Sequence, residues 1–317
     1  MTFAKTIVSA VLFILLTTVA CAQTFPARSI RLIVPYGPGG AADIAARLIA
    51  PRLAESLRQQ VVVDNRPGAG TIIATELLSK SAPDGYTIML ANVSFGAVPA
   101  MHRKLPYDPA KDFASVSMVD LVPQLLLVHP SLPVRKVSDL VALAKSKPGQ
   151  INYSSAGVGS GNHLQGELFG SDTGINIVHV PYQSGAQALT ALISGEAQID
   201  FAGVSAASPY IKSGRVRILA VTSAKRIAAF PDVPTVAETV APGFEFYDWH
   251  GILTRAGTPS ETITVLNREI NKAVLVPEVS ERMAAFGADA MGSTPQQMTD
   301  RINAEMARWK KVLKPAD

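Results

Sequence analysis

The sequence predicts an α/β fold of two similar lobes joined by two strands, with a ligand cleft between the lobes. Short apolar strands alternate with helical stretches along most of the chain, which is typical of parallel βαβ units in an open sheet. Segments suited to crossing between the lobes interrupt this alternation twice, at residues 121–123 and 244–253. In such folds, small molecules bind at the carboxyl ends of the strands and between the lobes.

The predicted first lobe begins with the clearest strand, turn and helix in the chain. Leu32, Ile33 and Val34 form a short apolar run suited to a buried strand, and a glycine-rich turn follows at once. Turns such as Pro83-Asp84-Gly85 separate the later elements. The strands are predicted at 30–34, 61–63, 86–90 and 115–119, and the helices at 43–57 and 71–81.

The second half repeats the alternation and then becomes wholly helical. Its strands are predicted at 124–128, 151–154, 177–180, 198–201 and 218–221, and its helices at 137–147, 163–171, 186–194 and 205–213. Three further helices are predicted at 259–274, 277–286 and 295–313. We therefore assign residues 23–122 and 249–317 to lobe 1 and residues 123–248 to lobe 2.

Residues 1–22 have the composition of an export signal. Lys5 gives a positive start, residues 7–19 are apolar, and Ala20-Cys21-Ala22 is a small-residue cleavage site. We expect cleavage after Ala22 and export of the mature protein. Lipid attachment at Cys21 is the alternative, although Thr18 stands where a leucine is usual. No later segment reaches the roughly twenty apolar residues that span a membrane.

Composition restricts the possible functions. The 317 residues are 48% hydrophobic, which is enough for two packed lobes. The 29 basic and 25 acidic residues are scattered without runs, so we expect no nucleic-acid partner. The five histidines lack the spacing of metal ligands, and the only cysteine lies in the predicted leader. We therefore expect no metal and no cofactor.

Three predicted strand exits are rich in glycine and serine and open helices: residues 37–43, 154–163 and 182–186. Glycine lets a ligand approach the backbone, and the free N–H groups at a helix start attract anions. Together the three exits suit a carboxylate. Neutral hydrogen-bonding groups are added by Ser155, Ser160, Asn162 and Ser184. For each loop alone, a plain βα turn with a serine N-cap is the alternative.

One enzymatic alternative is an exported dinucleotide-binding oxidoreductase. The pattern Gly37-x-Gly39-x-x-Ala42 follows a strand and opens a helix, and Asp64 comes at about the dinucleotide spacing. The export signal argues against it, as do Pro38 and Gly40 in the variable positions and a similar glycine pattern in the second lobe. We expect Asp64 to end its strand and cap the turn.

A serine hydrolase is the other enzymatic alternative, because Ser154, Ser155 and Ser160 lie close in sequence to His163. The sequence lacks a Gly-x-Ser-x-Gly elbow, since residue 159 is a glycine where the serine would stand. We expect His163, in the first turn of a helix, to be a neutral ligand group or a structural histidine rather than a general base. No catalytic residue is expected.

Nine short segments spread along the chain carry a family resemblance. They are Pro35-Tyr36-Gly37-Pro38-Gly39-Gly40-Ala41-Ala42-Asp43, Asn65-Arg66-Pro67-Gly68-Ala69-Gly70, Pro83-Asp84-Gly85-Tyr86-Thr87, Leu105-Pro106-Tyr107-Asp108-Pro109, Ser154-Ser155-Ala156-Gly157, His163-Leu164, Val180-Pro181-Tyr182, Leu219-Ala220-Val221-Thr222 and Pro231-Asp232-Val233-Pro234-Thr235. In this order they resemble the Bug (TctC-like) family of extracytoplasmic solute receptors. The resemblance implies a type II periplasmic binding-protein fold, in which two lobes close on a ligand.

The resemblance also implies a ligand class and partners. The family's ligands are small carboxylates, including di- and tricarboxylates, aromatic acids and amino acids, held largely by backbone amides, hydroxyls and bridging waters. The receptor delivers its ligand to the membrane subunits of a tripartite tricarboxylate transporter, and we expect a monomer. Relatives often have an acidic or amide residue where this chain has Ala202-Gly203, so we expect a ligand without an ammonium group.

The expected ligand-binding set is drawn from both lobes. From lobe 1 it contains Tyr36, Gly37, Pro38, Gly39, Gly40, Asp43, Asn92 and Ser94. From lobe 2 it contains Ser155, Ala156, Gly157, Ser160, Asn162, His163, Tyr182, Ser184, Gly185 and Ala186.

Overall fold

A computed structural model describes residues 25–313, so the predicted leader with Cys21 lies outside the described residues. The strands are β1 (Ile30–Val34), β2 (Val61–Asn65), β3 (Thr87–Asn92), β4 (Phe113–Val128), β5 (Asn152–Ser155), β6 (Val178–Pro181), β7 (Ile199–Gly203), β8 (Arg217–Val221), β9 (Tyr247–Arg255) and β10 (Asp289–Ala290). They form one sheet in the order β2-β1-β3-β9-β4-β7-β5-β6, and β8 and β10 each pair with β4.

Helices cover the sheet. They are α1 (Ala41–Leu57), α2 (Ile72–Ser79), α3 (Val93–Met101), α4 (Val137–Ser146), α5 (Gly161–Thr173), α6 (Gly185–Ser194), α7 (Val204–Lys212), α8 (Val236–Thr239), α9 (Ser260–Leu275), α10 (Pro277–Ala285) and α11 (Pro295–Val312). The alternation of strand and helix that the sequence predicts is therefore present.

β1 is buried on both faces, which explains its unbroken apolar run. Leu32 and Val34 lie in one core cluster with residues of α1, α9 and α10, whereas Ile33 lies in another cluster with residues of α2, α3 and α11. Successive side chains of a strand point to opposite faces. The parallel partners of β1 are β2 and β3, so these three strands end at the same edge of the sheet.

β4 is a single strand of 16 residues that pairs with both halves of the sheet. Phe113–Pro123 pairs with β9, and Gln124–Val128 pairs with β7 and β8. The prediction of two separate strands is wrong, because residues 113–128 form one strand and the predicted crossing at residues 121–123 lies inside it. Pro123 does not interrupt the strand, because proline has only to avoid a position where its missing N–H is needed.

The chain returns beside the middle of β4. The N–H of Thr222 donates to the carbonyl of Gln124 at 3.0 Å, and the N–H of Phe246 donates to the carbonyl of Thr222 at 2.8 Å. The next residue, Tyr247, then pairs with Pro123 at the start of β9. The two predicted crossing regions therefore lie side by side in the sheet.

The loop predicted after β3 is helical, which corrects the sequence-based interpretation. The side chain of Asn92 caps α3 by accepting from the N–H of Ser94 at 3.2 Å. α3 is buried almost all round, so its sequence has no polar face. Because helix prediction relies on an apolar stripe of period 3.6, a fully buried helix with an internal Pro99 gives a weak signal.

The packing of α5 on β5 predicts an unusual effect of a glycine substitution. A Cβ on Gly166 would clash with the ring of Tyr153, which is fully buried. We expect Gly166→Ala to lower the free energy of unfolding by about 1–3 kcal/mol. This is the opposite of the usual effect, because alanine normally stabilises a helix relative to glycine. Gly185→Ala is the control, because its Cβ would meet nothing within 4 Å. Equal melting temperatures for the two variants in thermal denaturation would contradict this packing.

Candidate functional site

The start of α1 is an uncapped helix N-terminus behind a glycine-rich turn. Gly40 is the N-cap and makes no side-chain hydrogen bond to the helix. A Cβ at Gly37 or Gly39 would meet no heavy atom within 4 Å, and Gly39 has a φ of +86° that favours glycine. Pro38, Gly39 and Gly40 are exposed. The turn therefore leaves open space in front of the first N–H groups of α1.

Asp43 shapes this turn from within the protein. Its carboxylate accepts from the N–H of Gly39 at 2.9 Å, from Arg47 Nε at 2.9 Å and from Asn65 Nδ2 at 2.9 Å. Burial alone would raise the pKa of Asp43, but these hydrogen bonds outweigh it and the pKa is lowered. The side chain of Asp43 thus holds the glycine turn and neutralises Arg47.

The acidic residue of the predicted dinucleotide pattern is also occupied. Asp64 Oδ2 accepts from Arg31 Nε at 2.6 Å and from Arg66 Nε at 3.1 Å. A dinucleotide site would need this carboxylate free for a ribose hydroxyl. We expected Asp64 to cap its own turn, but its carboxylate instead forms ion pairs with Arg31 and Arg66.

A directed chain of hydrogen bonds joins the predicted site residues of the first half to the second half. Asn92 Nδ2 donates to the Tyr36 hydroxyl at 2.8 Å, which lies 3.0 Å from Ser94 Oγ. Ser94 Oγ donates to the carbonyl of Gly159 at 2.6 Å. Because Ser94 and Asn92 use their protons in this way, Tyr36 must donate to Ser94. This series of hydrogen bonds therefore places the loop after β5 against the end of β3.

The loop after β5 is held by side chains that point into the protein. Ser155 Oγ lies 2.5 Å from His179 Nε2 and accepts from the N–H of Gly157 at 3.0 Å. Ser160 caps α5 and donates to the carbonyl of Gly157 at 2.7 Å. His163 Nδ1 accepts from the N–H of Gly159 at 3.2 Å. Ser155, Ser160 and His163 are buried, and Ala156 and Gly157 are partly exposed.

The two histidines under this loop are neutral near pH 7. The rings of His163 and His179 have centroids 4.2 Å apart. Burial lowers the pKa of His163 to about 4, and burial together with His163 lowers the pKa of His179 to about 4. The lowered pKa agrees with the expectation of a neutral His163. Its side chain supports the backbone of the loop.

Asn162 lies in the first turn of α5 and contacts β7. Its Nδ2 lies 3.3 Å from Asp200 Oδ1 and makes a shorter contact with the carbonyl of Phe201. Asp200 is fully buried, and its Oδ2 has no hydrogen-bond partner among residues 25–313. Burial raises the pKa of Asp200 to about 7, although hydrogen bonds from Asn162 and the backbone act in the opposite direction.

The loop after β6 is the most open part of the predicted set. Ser184 caps α6 by accepting from the N–H of Gln187 at 3.3 Å. Ser184, Gly185 and Ala186 are exposed, and a Cβ at Gly185 would meet nothing within 4 Å. Tyr182 is partly exposed, and its N–H donates to the carbonyl of Ser155 at 2.9 Å. The β5 and β6 exits are therefore adjacent.

Sequence reasoning missed three contributors to this region. α7 starts at Gly203 without a side-chain cap, as α1 does at Gly40. Gly159 receives the hydrogen bond from Ser94, and Asp248 lies beside Gly161, where a Cβ would be 3.0 Å from Asp248 Oδ2. Gly203, directly before α7, could have been recognised from the sequence as a helix start. The contact between Asp248 and Gly161 could not, because these residues lie far apart in the chain.

A buried cluster of charged residues lies behind this contact. His250 Nδ1 is 2.7 Å from Asp120 Oδ1, and both side chains are 2% exposed. Burial alone would lower the pKa of His250, but Asp120 outweighs it and the pKa is raised. Burial raises the pKa of Asp248, which Asn92 Nδ2 approaches to 3.5 Å. His250 and Asp120 therefore bond to each other inside the protein, and Asp248 lies within hydrogen-bond distance of Asn92.

Two surface cavities lie away from these loops, along α11 and the segment before β9. Their volumes are about 340 and 470 Å³, and Glu245 and Arg308 line both. Within residues 25–313, no cluster of three or more histidine, cysteine, aspartate or glutamate side chains is placed to hold a metal. No helix in the same range is long and apolar enough to cross a bilayer.

Two α/β units that share a long strand and meet at glycine- and serine-rich strand exits define a two-lobed solute-binding protein. The model of the protein family described as "Tripartite tricarboxylate transporter family receptor" matches residues 45–317 of this chain. Protein BugT of Bordetella pertussis is 39% identical over 295 residues, which cover 92% of this chain and 90% of that protein. The chain belongs to the tripartite tricarboxylate transporter receptor (TctC) family.

Solved structures agree with this membership. "R. palustris Rpa4515 with adipate" is 37% identical, with a TM-score of 0.83, and the match covers 92% of this chain and 100% of that chain. "MatC (Rpa3494) from Rhodopseudomonas palustris with bound malate" is 30% identical, with a TM-score of 0.81 over 91% of this chain and 99% of that chain. The predicted type II periplasmic binding-protein fold is confirmed.

The family determines the general role of the protein. It is made up of periplasmic receptors that bind solutes and are not enzymes, so this chain is a solute-binding receptor. The oxidoreductase alternative has no support from these relatives, and Asp43 and Asp64 are both occupied by protein partners.

The buried carboxyl of Asp200 predicts a dependence of stability on pH. The pKa of Asp200 in the folded protein is about 7, which lies above the ordinary value. Between about pH 4 and 7 the folded state therefore keeps a proton that the unfolded state has lost. This contribution to stability is present below about pH 4 and is lost as the pH rises through 7. We expect Asp200→Asn to become more stable relative to the unmodified protein as the pH rises, by at most about 4 kcal/mol.

Chemical denaturation at pH 4.5, 6 and 8 measures this difference. His163 and His179 act in the opposite direction, because their lowered pKa values favour the folded state at higher pH, but they are present in both proteins. Asp232→Asn, at an exposed position, is the control. A stability difference for Asp200→Asn that stays constant with pH would show that Asp200 titrates normally.

Proposed function

We propose that this receptor captures a small dicarboxylate between its two lobes and presents it to the membrane subunits of a tripartite tricarboxylate transporter. The observation that carries this proposal is the uncapped start of α1, with open space in front of Gly37 and Gly39. Unsatisfied N–H groups and the helix dipole favour an anion there. The nearby Arg47 is paired with Asp43, so backbone groups supply the positive potential.

The second carboxylate is proposed to bind at the starts of α6 and α7. Gly185 is exposed and open, and α7 starts at Gly203 with no side-chain cap. Two helix starts in the second half opposite one in the first half suit a ligand with an anion at each end. The bound ligands of two relatives, adipate and malate, are dicarboxylates.

The predicted site residues divide into two roles in this proposal. The backbone of residues 37–41, 156–157 and 185–186 contacts the ligand, and the partly exposed Tyr36, Asn162 and Tyr182 line the cleft. The buried side chains of Asp43, Ser155 and His163 hold the loops in place, because each is already bonded to a backbone N–H. This division gives a preorganised site, which lowers the entropy cost of binding.

We propose that the lobes are residues 23–122 with 249–317 and residues 123–248, and that they hinge where the two crossings lie together. The pairing of β4 changes partner between Pro123 and Gln124, and Tyr247 lies opposite Pro123. In this division the hydrogen bond from Ser94 to Gly159 joins the two lobes. Closure around the ligand would shift the population toward the form that the membrane subunits recognise.

The site of action is proposed to be the periplasm, reached through cleavage of the leader after Ala22 and with the receptor acting as a monomer. Residues 1–22 supply the charged start, apolar core and small-residue cleavage site that export requires. Lipid attachment at Cys21 is the alternative anchor.

A ligand screen tests the proposed function directly. We expect adipate, succinate or malate to raise the melting temperature of the purified protein, because a ligand at a hundred times its Kd adds about 2.7 kcal/mol to the unfolding free energy. Aromatic acids, amino acids, citrate and NAD are compared in the same thermal-shift assay. A shift with NAD and none with any carboxylate would overturn the proposal in favour of the dinucleotide alternative.

Gly39→Val tests the position of the anion site. A branched side chain in front of α1 should weaken dicarboxylate binding at least a hundredfold in calorimetry, while the free protein remains folded. Gly214→Val is a matched control, because Gly214 also has a positive φ of +72° and no heavy atom within 4 Å of its Cβ position. Both variants carry a strain cost of about 1–3 kcal/mol.

Gly40→Val provides a second variant without that strain, since Gly40 has a φ of −81°. Undiminished affinity in folded Gly39→Val and Gly40→Val proteins would place the anion elsewhere.

A further inference from the structure

The orientation of the Asn162 side chain follows from the two groups that surround its nitrogen. Nδ2 contacts Asp200 Oδ1 and the carbonyl of Phe201; the carbonyl accepts a hydrogen bond at every pH, and both oxygens of Asp200 are acceptors when its carboxyl is ionised. The amide oxygen could not occupy this position without facing two other oxygens. Asn162 Oδ1 must therefore point away from β7, and it has no hydrogen-bond partner within residues 25–313.

The free oxygen lies at the edge of the sheet where ligands bind in this fold. Asn162 is partly exposed in the first turn of α5, directly after the loop that follows β5. β5 and β7 are parallel, with Ser154 opposite Asp200, so both end at the edge that carries this loop. The Asn162 carbonyl is thus an acceptor at the edge of the sheet that carries the loop after β5.

Asp200 keeps Asn162 in this orientation together with the carbonyl of Phe201. Its carboxyl is fully buried, with one oxygen toward Asn162 and the other without a partner among the described residues. A buried carboxyl is costly, and an apolar residue would fill this position at lower cost. Orientation of Asn162 explains why a carboxyl is placed here.

An acceptor next to a carboxylate site selects for a donor on the ligand. A deoxy ligand would leave Asn162 Oδ1 unpaired in a closed cleft, whereas a hydroxyl beside the carboxylate would satisfy it. An ammonium group would also need a negative charge to face it. Asp43 is paired with Arg47, and Asp200 lies fully inside the protein, so neither provides that charge.

From this geometry we infer that Asn162, oriented by Asp200, presents its carbonyl oxygen to the ligand and makes the receptor selective for 2-hydroxy acids over their deoxy analogues. Asn162 is a specificity-determining residue, and Asp200 is a positioning residue that does not touch the ligand. The inference rests on the proposed carboxylate-binding function of the same site and adds the chemical group that the ligand carries.

Two ligand pairs that differ only in the hydroxyl test this inference: malate with succinate, and 2-hydroxyadipate with adipate. We expect isothermal titration calorimetry of the purified protein to give about tenfold tighter binding of the hydroxylated member, the equivalent of one hydrogen bond. In Asn162→Leu the two members of a pair should bind with equal affinity. Asp200→Asn should weaken the preference, because an amide nitrogen at residue 200 can donate to Asn162 Oδ1 and favour the opposite orientation, which only the carbonyl of Phe201 then opposes.

Asn303→Leu is the matched control, since Asn303 is exposed on α11, and it should keep the preference. The double variant Asn162→Leu with Asp200→Leu replaces both polar partners, so it should remain folded if Asn162→Leu alone does not. Equal affinities within each pair for the unmodified protein would overturn the inference while leaving dicarboxylate binding intact. A preference that survives in Asn162→Leu, or tighter binding of aspartate than of malate, would also overturn it.

Absence of binding by all four acids is a different result. It would overturn the proposed dicarboxylate function itself, and the selectivity inference with it.

Discussion

The structure depends on one strand that belongs to both halves of the sheet. β4 pairs with β9 through Pro123 and with β7 and β8 from Gln124 onward, so one unbroken backbone carries both units. The return of the chain at Thr222 and Phe246 hydrogen-bonds to the same place. Two adjacent crossings restrict the relative movement of the units and keep the strand exits of one near those of the other. The hydrogen bond from Ser94 to Gly159 is a consequence of that closeness.

The site combines a fixed polar framework with free backbone donors. Asp43, Ser155 and His163 each use a side-chain acceptor on a loop N–H, which fixes loops that glycine would otherwise leave flexible. Asp43 is paired with Arg47, Asp200 lies inside the protein, and the helix starts at Gly40 and Gly203 have no side-chain cap. The proposed site would attract a carboxylate through aligned N–H dipoles, which need no rearrangement when a ligand binds.

Local patterns predicted the elements well where burial differs between faces or where turn residues mark the boundaries. β1 is observed at the predicted residues, and α11 begins at Pro295 as predicted, with Thr294 as its N-cap. The errors occurred where those signals are weak. α3 is buried almost all round and therefore has no polar stripe, and the predicted gap between two strands falls inside the single strand β4. Of the predicted site, the sequence indicated the loops correctly as helix starts, but it did not show that Ser155 and His163 turn inward.

The sequence by itself determined the α/β class, the order of strands and helices, and the glycine-rich turns, because these follow from hydrophobic periodicity and from the conformational freedom of glycine. Only the tertiary structure decided which polar atoms remain free. Whether Asn162 offers its nitrogen or its oxygen depends on Asp200 and Phe201, which are 38 and 39 residues away in the chain. The same holds for Asp248, which meets Asn92 across 156 residues. Hydrogen-bond partners are set by distance in space, and local sequence patterns contain no information about contacts of that separation.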